Sequence, residues 1–89
     1  MRLSAELSLY PLAGDVEQPV LDFIEDLLAS GDISAVTNAM STQIVGDSTA
    51  VFRAVEQALT ASYERTGRQV LVVKFIPELK LDVEATADQ

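Results

Sequence analysis

The residues best equipped for chemistry lie in two short stretches. Asn38, Met40, Ser41 and Thr42 belong to Asn38-Ala-Met-Ser-Thr-Gln-Ile-Val-Gly46, and Glu6, Ser8 and Tyr10 recur at every second position near the start of the chain. Asn, Ser and Thr side chains both donate and accept hydrogen bonds, and a methionine thioether is soft and apolar. Side by side, such groups suit a flat polar heterocycle. They suit a plain hairpin turn equally, because Asn and Ser are ordinary turn residues.

The rest of the inventory narrows the chemistry. The chain contains neither His nor Cys. That removes the commonest general base, the usual zinc ligand and the Ser-His and Cys-His nucleophile pairs. Catalysis would fall to carboxylates, Lys, Tyr or a borrowed cofactor, so the chain is read as a non-enzyme with no resident cofactor and no metal site. Asp22, Glu25 and Asp26 have the look of a metal cluster but read as a solvated helix face, and Asp82 and Glu84 further on have the same solvated reading. Gly46-Asp47-Ser48 has neither the glycines nor the lysine of a phosphate loop.

A net charge of −8 over 89 residues argues against nucleic acid and anionic membranes as partners. It favours a cationic ligand slightly, and it also serves plain solubility. No apolar run approaches the roughly 18 residues of a membrane span, and the first residues lack a signal-peptide core, so no membrane insertion and a cytoplasmic location are expected. The 48% apolar content is that of a folded domain. At this length the core is small, which favours assembly as a homodimer or homotetramer.

Elements that could position these residues follow from periodicity. Arg2 to Tyr10 alternates, with Leu3, Ala5, Leu7 and Leu9 on one side and Ser4, Glu6, Ser8 and Tyr10 on the other, which predicts a strand closed by Pro11. Asp15 to Ser30 predicts a helix with a stripe of Val20, Ile24, Leu27 and Leu28, Leu21 beside it, Asp15 as its cap and Gly31 as its stop. Ile33 to Ala39 and Thr42 to Val45 read as strands, followed by a turn at Gly46-Asp47. A second helix runs from Asp47 or Ser48 to about Thr66, with Val51, Val55, Leu59 and Ser62 on one stripe and Phe52 beside it. Arg68 to Ile76 is a strand so apolar that it suggests burial on both faces, under helices or against a partner. Residues 1–78 are read as one domain and 79–89 as a partly disordered C-terminal tail, with a short extra strand at its start.

The order β-α-β-β-α-β is the split βαβ or ferredoxin-like arrangement, an α+β fold. Right-handed crossovers predict one antiparallel sheet of order 4-1-3-2 with two helices on one face. The end of the first strand, the end of the second, the start of the third and the start of the first helix then meet at one edge of the sheet. This edge gathers Ser8, Tyr10, Asn38, Met40, Ser41 and Thr42, beside helix N–H groups that can bind acceptors. On the open face Lys74 would neighbour Glu6, as an ion pair or with Glu6 left to a ligand. Val70, Val72 and Ile76 together would form an apolar patch suited to another subunit.

Ser4-Ala-Glu-Leu-Ser-Leu-Tyr-Pro-Leu12 and Asn38-Ala-Met-Ser-Thr-Gln-Ile-Val-Gly46, followed by Val51-Phe52, resemble the thiamine-binding protein family, from about Leu3 to Ile76. The resemblance implies a ferredoxin-like protein that binds thiamine or its hydroxymethylpyrimidine part without catalysis, in transport or salvage of the vitamin. The family includes a two-repeat form, and this single-repeat chain would assemble by association of copies. On the matching positions, Asn38, Ser41 and Thr42 would read an aminopyrimidine edge and Glu6 would accept from its amine. Ser8 would share the site, and Tyr10 and Met40 would cover the ring. Two other readings stand beside it: an association module with no small ligand, and a cofactor-free enzyme using Tyr10, Glu6 or Lys74.

Overall fold

The computed structural model describes residues 1–37 and 41–78. Its elements are β1 (Arg2–Pro11), α1 (Glu17–Ala29), β2 (Ile33–Thr37), β3 (Thr42–Asp47), α2 (Ser48–Thr66) and β4 (Gln69–Pro77). The four strands form one sheet of order β2-β3-β1-β4, every neighbouring pair antiparallel. This is the ferredoxin-like order expected from the alternation of elements, with both helices on one face. β1 is central: Ala5 sits between Ile44 and Phe75, and Glu6 between Gln43 and Lys74.

The strict alternation of β1 sends Leu3, Ala5, Leu7 and Leu9 into the core, where they meet Ile44 of β3, Phe23 and Leu27 of α1, and Val51, Ala54 and Ala58 of α2. Burying each large aliphatic or aromatic side chain contributes about 1.5–3 kcal/mol, so this cluster holds the layers together. On α2, Ala54, Ala58 and Ser62 recur at every fourth position and are fully or almost fully buried, which lets the helix lie close to its neighbours. Val55 and Leu59, expected on the stripe, flank it half-buried.

The stripe of α1 is shifted from the one expected. Phe23 and Leu27 are buried and Val20 packs against them, whereas Leu21 and Leu28 are each 50% exposed. At about 100° per residue, Val20, Phe23 and Leu27 share a face; Leu28, one residue past Leu27, turns away. The helix begins at Glu17, so Pro19 falls within its first turn, where a missing N–H costs nothing. Gly31 follows it with a φ of 79°, the left-handed conformation expected of a stop.

Gly46 is not a turn residue. It is a fully paired strand position between Leu3 and Ile33, and β3 passes straight into α2. A Cβ there would stand 3.1 Å from the Asp32 carbonyl oxygen and 3.2 Å from Ile33 Cγ2, so a larger residue fits only if these neighbours give by a few tenths of an ångström. Asp47 then caps α2, accepting from the Thr49 N–H at 3.2 Å and from the Met1 amino group at 3.3 Å. These contacts, led by the one to the amino group, hold the Asp47 carboxyl below the usual range.

β4 corrects the expectation of burial on both faces within the subunit. It is an edge strand: Leu71 and Val73 pack on the core, while Val70, Val72 and Ile76 stand 45%, 43% and 46% exposed on the open face. Phe75 turns to the helix side and stacks at 4.8 Å on Phe52 of α2. No helix among the described residues is long and apolar enough to cross a membrane. The tail from 79 to 89, and with it Asp82 and Glu84, lies outside the described residues.

Candidate functional site

Because β1 outruns β3, the end of the sheet opens into a cleft beneath the start of α1. The cleft has a volume of about 250 Å³. Its walls are apolar where they meet the core: Leu7 and Leu9 from β1, and Val16, Val20, Phe23 and Ile24 from α1 and its approach. Among the described residues its polar side chains all carry hydroxyls: Ser8, Tyr10, Thr37, Ser41 and Thr42. A hydroxyl can both donate and accept, and no charged side chain among the described residues lines this cleft. The chemistry is that of a small, roughly planar molecule with mixed donors and acceptors on its edge. The volume lies just below the roughly 300–1,000 Å³ of drug-sized sites, which suits one substituted ring.

Each candidate residue has a place relative to this cleft. Ser8, Tyr10, Ser41 and Thr42 line it. Tyr10 stands at the mouth, 55% exposed, with its ring free to cover a bound molecule. Thr42 is buried, and its hydroxyl shares a hydrogen bond of 3.0 Å with that of Thr37 across the β2–β3 pair. Asn38 and Met40 lie outside the described residues; Thr37 and Ser41, the residues bounding that gap, both line the cleft.

Glu6 lies one step away. It lines a smaller recess of about 130 Å³ on the open face, with Ser4, Gln43, Lys74 and Ile76. Its carboxylate accepts from Ser41 Oγ at 3.2 Å and pairs with Lys74 Nζ at 3.6 Å. The cross-strand neighbourhood of Glu6 and Lys74 is the one the strand order predicts. The pair is well exposed and so contributes little to stability, on the order of 0–1 kcal/mol. What Glu6 does locally is fix the Ser41 hydroxyl at the rim of the cleft.

The start of α1 does not offer its N–H groups to a ligand. The Asp15 carboxylate already accepts from the Glu17 and Gln18 amides, at 3.3 and 3.4 Å. The Gln18 side chain donates to Asp22 at 2.9 Å. α1 therefore contributes apolar wall and no anion site. Asp22 and Asp26 are engaged by Arg65 of α2, at 3.8 and 2.8 Å, and the Asp26 hydrogen bond raises the arginine further above its ordinary value. No group of described residues could hold a metal ion.

The sequence reading overlooked Thr37 and the α1 wall. Thr37 directly precedes Asn38, so the cluster could have been extended by one residue. Phe23 was hidden by Leu21 and Leu28, which are as apolar as the true face.

No family model matches this sequence, and no curated protein matches it. Solved structures do share its fold over the whole chain. A hypothetical protein from Methanocaldococcus jannascii superposes with a TM-score of 0.78 at 24% identity, covering 99% of this chain and 98% of its own. A "putative thiamine biosynthesis/salvage protein" from Thermotoga maritima superposes with a TM-score of 0.81 at 12% identity, covering 100% of both chains. A domain of unknown function, DUF77, from Bacillus cereus gives 0.76 at 20% identity, covering 94% of this chain and 85% of its own. At these identities the likeness is one of fold.

Proposed function

We propose that the chain is a non-catalytic binding protein for thiamine or its hydroxymethylpyrimidine part, serving transport or salvage of the vitamin. The observation that carries this reading is the hydroxyl-lined cleft at the sheet end, which unites Ser8, Tyr10, Ser41 and Thr42 from stretches more than thirty residues apart. An aminopyrimidine has ring nitrogens that accept and an amine that donates, and hydroxyls serve both. The Tyr10 ring at the mouth suits a heteroaromatic face or the thiazolium cation, and the net charge of −8 favours a cation over an anion. The motif resemblance and the Thermotoga maritima neighbour point the same way.

Titration calorimetry with thiamine and with hydroxymethylpyrimidine tests the proposal. Saturable binding of either supports it; silence with both at millimolar concentration leaves the chain as an association module. That second reading is favoured by one feature, the exposed Val70, Val72 and Ile76 on the open face, which also suits a homodimer or homotetramer of the binding protein. A cytoplasmic location belongs to the same proposal.

A further inference from the structure

A second concavity lies on the other side of the same sheet end, between the C-terminal turns of α2 and the start of β4. It has a volume of about 580 Å³ and is lined by Leu12, Leu59, Thr60, Tyr63, Arg68 and Gln69. None of these residues belongs to the hydroxyl-lined cleft. Leu12 and Tyr63 are large side chains left 62% and 60% exposed on its walls. The Ser62 hydroxyl donates to Gln69 Oε1 at 2.9 Å, which fixes the amide, and leaves the buried Gln69 Nε2 without a hydrogen-bond partner.

The second polar group is the guanidinium of Arg68. Among the described residues Arg65 is held by Asp22 and Asp26 and Lys74 by Glu6, while Arg68 stands in no such pair. Arginine presents a planar fork that matches a carboxylate with two parallel hydrogen bonds. One cation in a protein of net charge −8 is enough for a monoanion and too little for a polyphosphate. The walls, with the tyrosine ring and two leucines, call for an apolar body of one or two rings.

We infer that this groove is a second small-molecule site, one that takes an aromatic monocarboxylate. Its carboxylate lies against Arg68 and its ring against Tyr63, Leu12 and Leu59. The inference does not depend on the pyrimidine reading, since the two clefts share no residue.

The chain has no Trp, so an indole ligand can be followed by its own fluorescence. Indole-3-acetate is the probe, and fluorescence anisotropy the readout. The expected result is a saturable rise that excess thiamine does not displace. The neutral indole-3-acetamide should bind about tenfold more weakly or worse, the loss of one charge-assisted contact. Arg68→Gln should weaken the acid by a similar factor and leave the amide unchanged. This substitution is mild, because the one backbone bond recorded at that residue, from the Leu12 N–H to the Arg68 carbonyl at 3.3 Å, is kept. No saturable rise at millimolar probe, equal affinity for acid and amide, displacement by thiamine, or indifference to Arg68→Gln would each overturn the assignment.

Discussion

Ser41 lines the first cleft and its hydroxyl donates to Glu6, which makes it the first residue to test under the proposed function. Ser41→Ala should weaken thiamine or hydroxymethylpyrimidine binding by about tenfold, since leaving a ligand group unpaired costs roughly 1–3 kcal/mol. Calorimetry reads the affinity, and a thermal melt of the free protein should barely move. Glu6→Gln keeps an acceptor for Ser41 and removes the charge. It should retain most of the affinity if Glu6 works through Ser41, and a loss as large as that of Ser41→Ala would instead place Glu6 against the ligand. Asp47 carries a separate prediction. Its folded pKa is depressed, so its stabilising contribution is present above the ordinary carboxylate value and is lost as pH falls through the lower folded value. Acid titration of the wild type should therefore show extra destabilisation from about pH 4 downward. Asp47→Asn should flatten that part of the curve, read by far-ultraviolet dichroism. At this scale the sequence was informative where the strand order brings Ser8 and Tyr10 together with Ser41 and Thr42 along one cleft. It was mute on the Thr42 hydroxyl, which shares a hydrogen bond with that of Thr37.

The elements themselves were legible because their periods are unambiguous. β1 alternates without a fault, and α2 begins at an Asp cap and ends at a glycine with a φ of 86°. What periodicity could not resolve was the choice among equally apolar neighbours on α1, or the nature of Gly46. A glycine before Asp is a common turn signal, and only the pairing of β3 with both β1 and β2 reveals it as a close-contact site. Gly46→Ala should accordingly destabilise the fold. Removing a glycine restricts the unfolded chain and by itself stabilises by about 0.4–1 kcal/mol. Forcing a methyl group against the Asp32 carbonyl costs about 1–3 kcal/mol, and a backbone atom yields less readily than a side-chain end. Urea denaturation should show a lower midpoint with an unchanged slope, and a midpoint equal to or above wild type would refute the packing argument.

For the whole molecule, strand order was deducible because the handedness of crossovers leaves few alternatives, whereas assembly was not. The sheet face opposite the helices exposes Val36, Val70, Val72 and Ile76 at 42–46%. Sedimentation at micromolar concentration should show a dimer or tetramer, and Val72→Asp should shift it toward the 9.6 kDa species. A wild type that sediments only as monomer would remove the open face as an interface. The central position of β1 has a further consequence, for the order of events during synthesis. Within this sheet β1 is held on one side by β4, made some sixty residues later, the register running from Leu3–Pro77 to Pro11–Gln69. Ribosomes add roughly 5–20 residues per second, so β1 waits some seconds for that neighbour, with Leu3, Leu7 and Leu9 lacking their final packing. Helices and the β2–β3 hairpin can form earlier from local contacts, but the central strand cannot be enclosed until β4 has left the exit tunnel. Enclosure of the central strand is thus a late step, and a nascent chain stalled before Gln69 should be a substrate for chaperones and proteases.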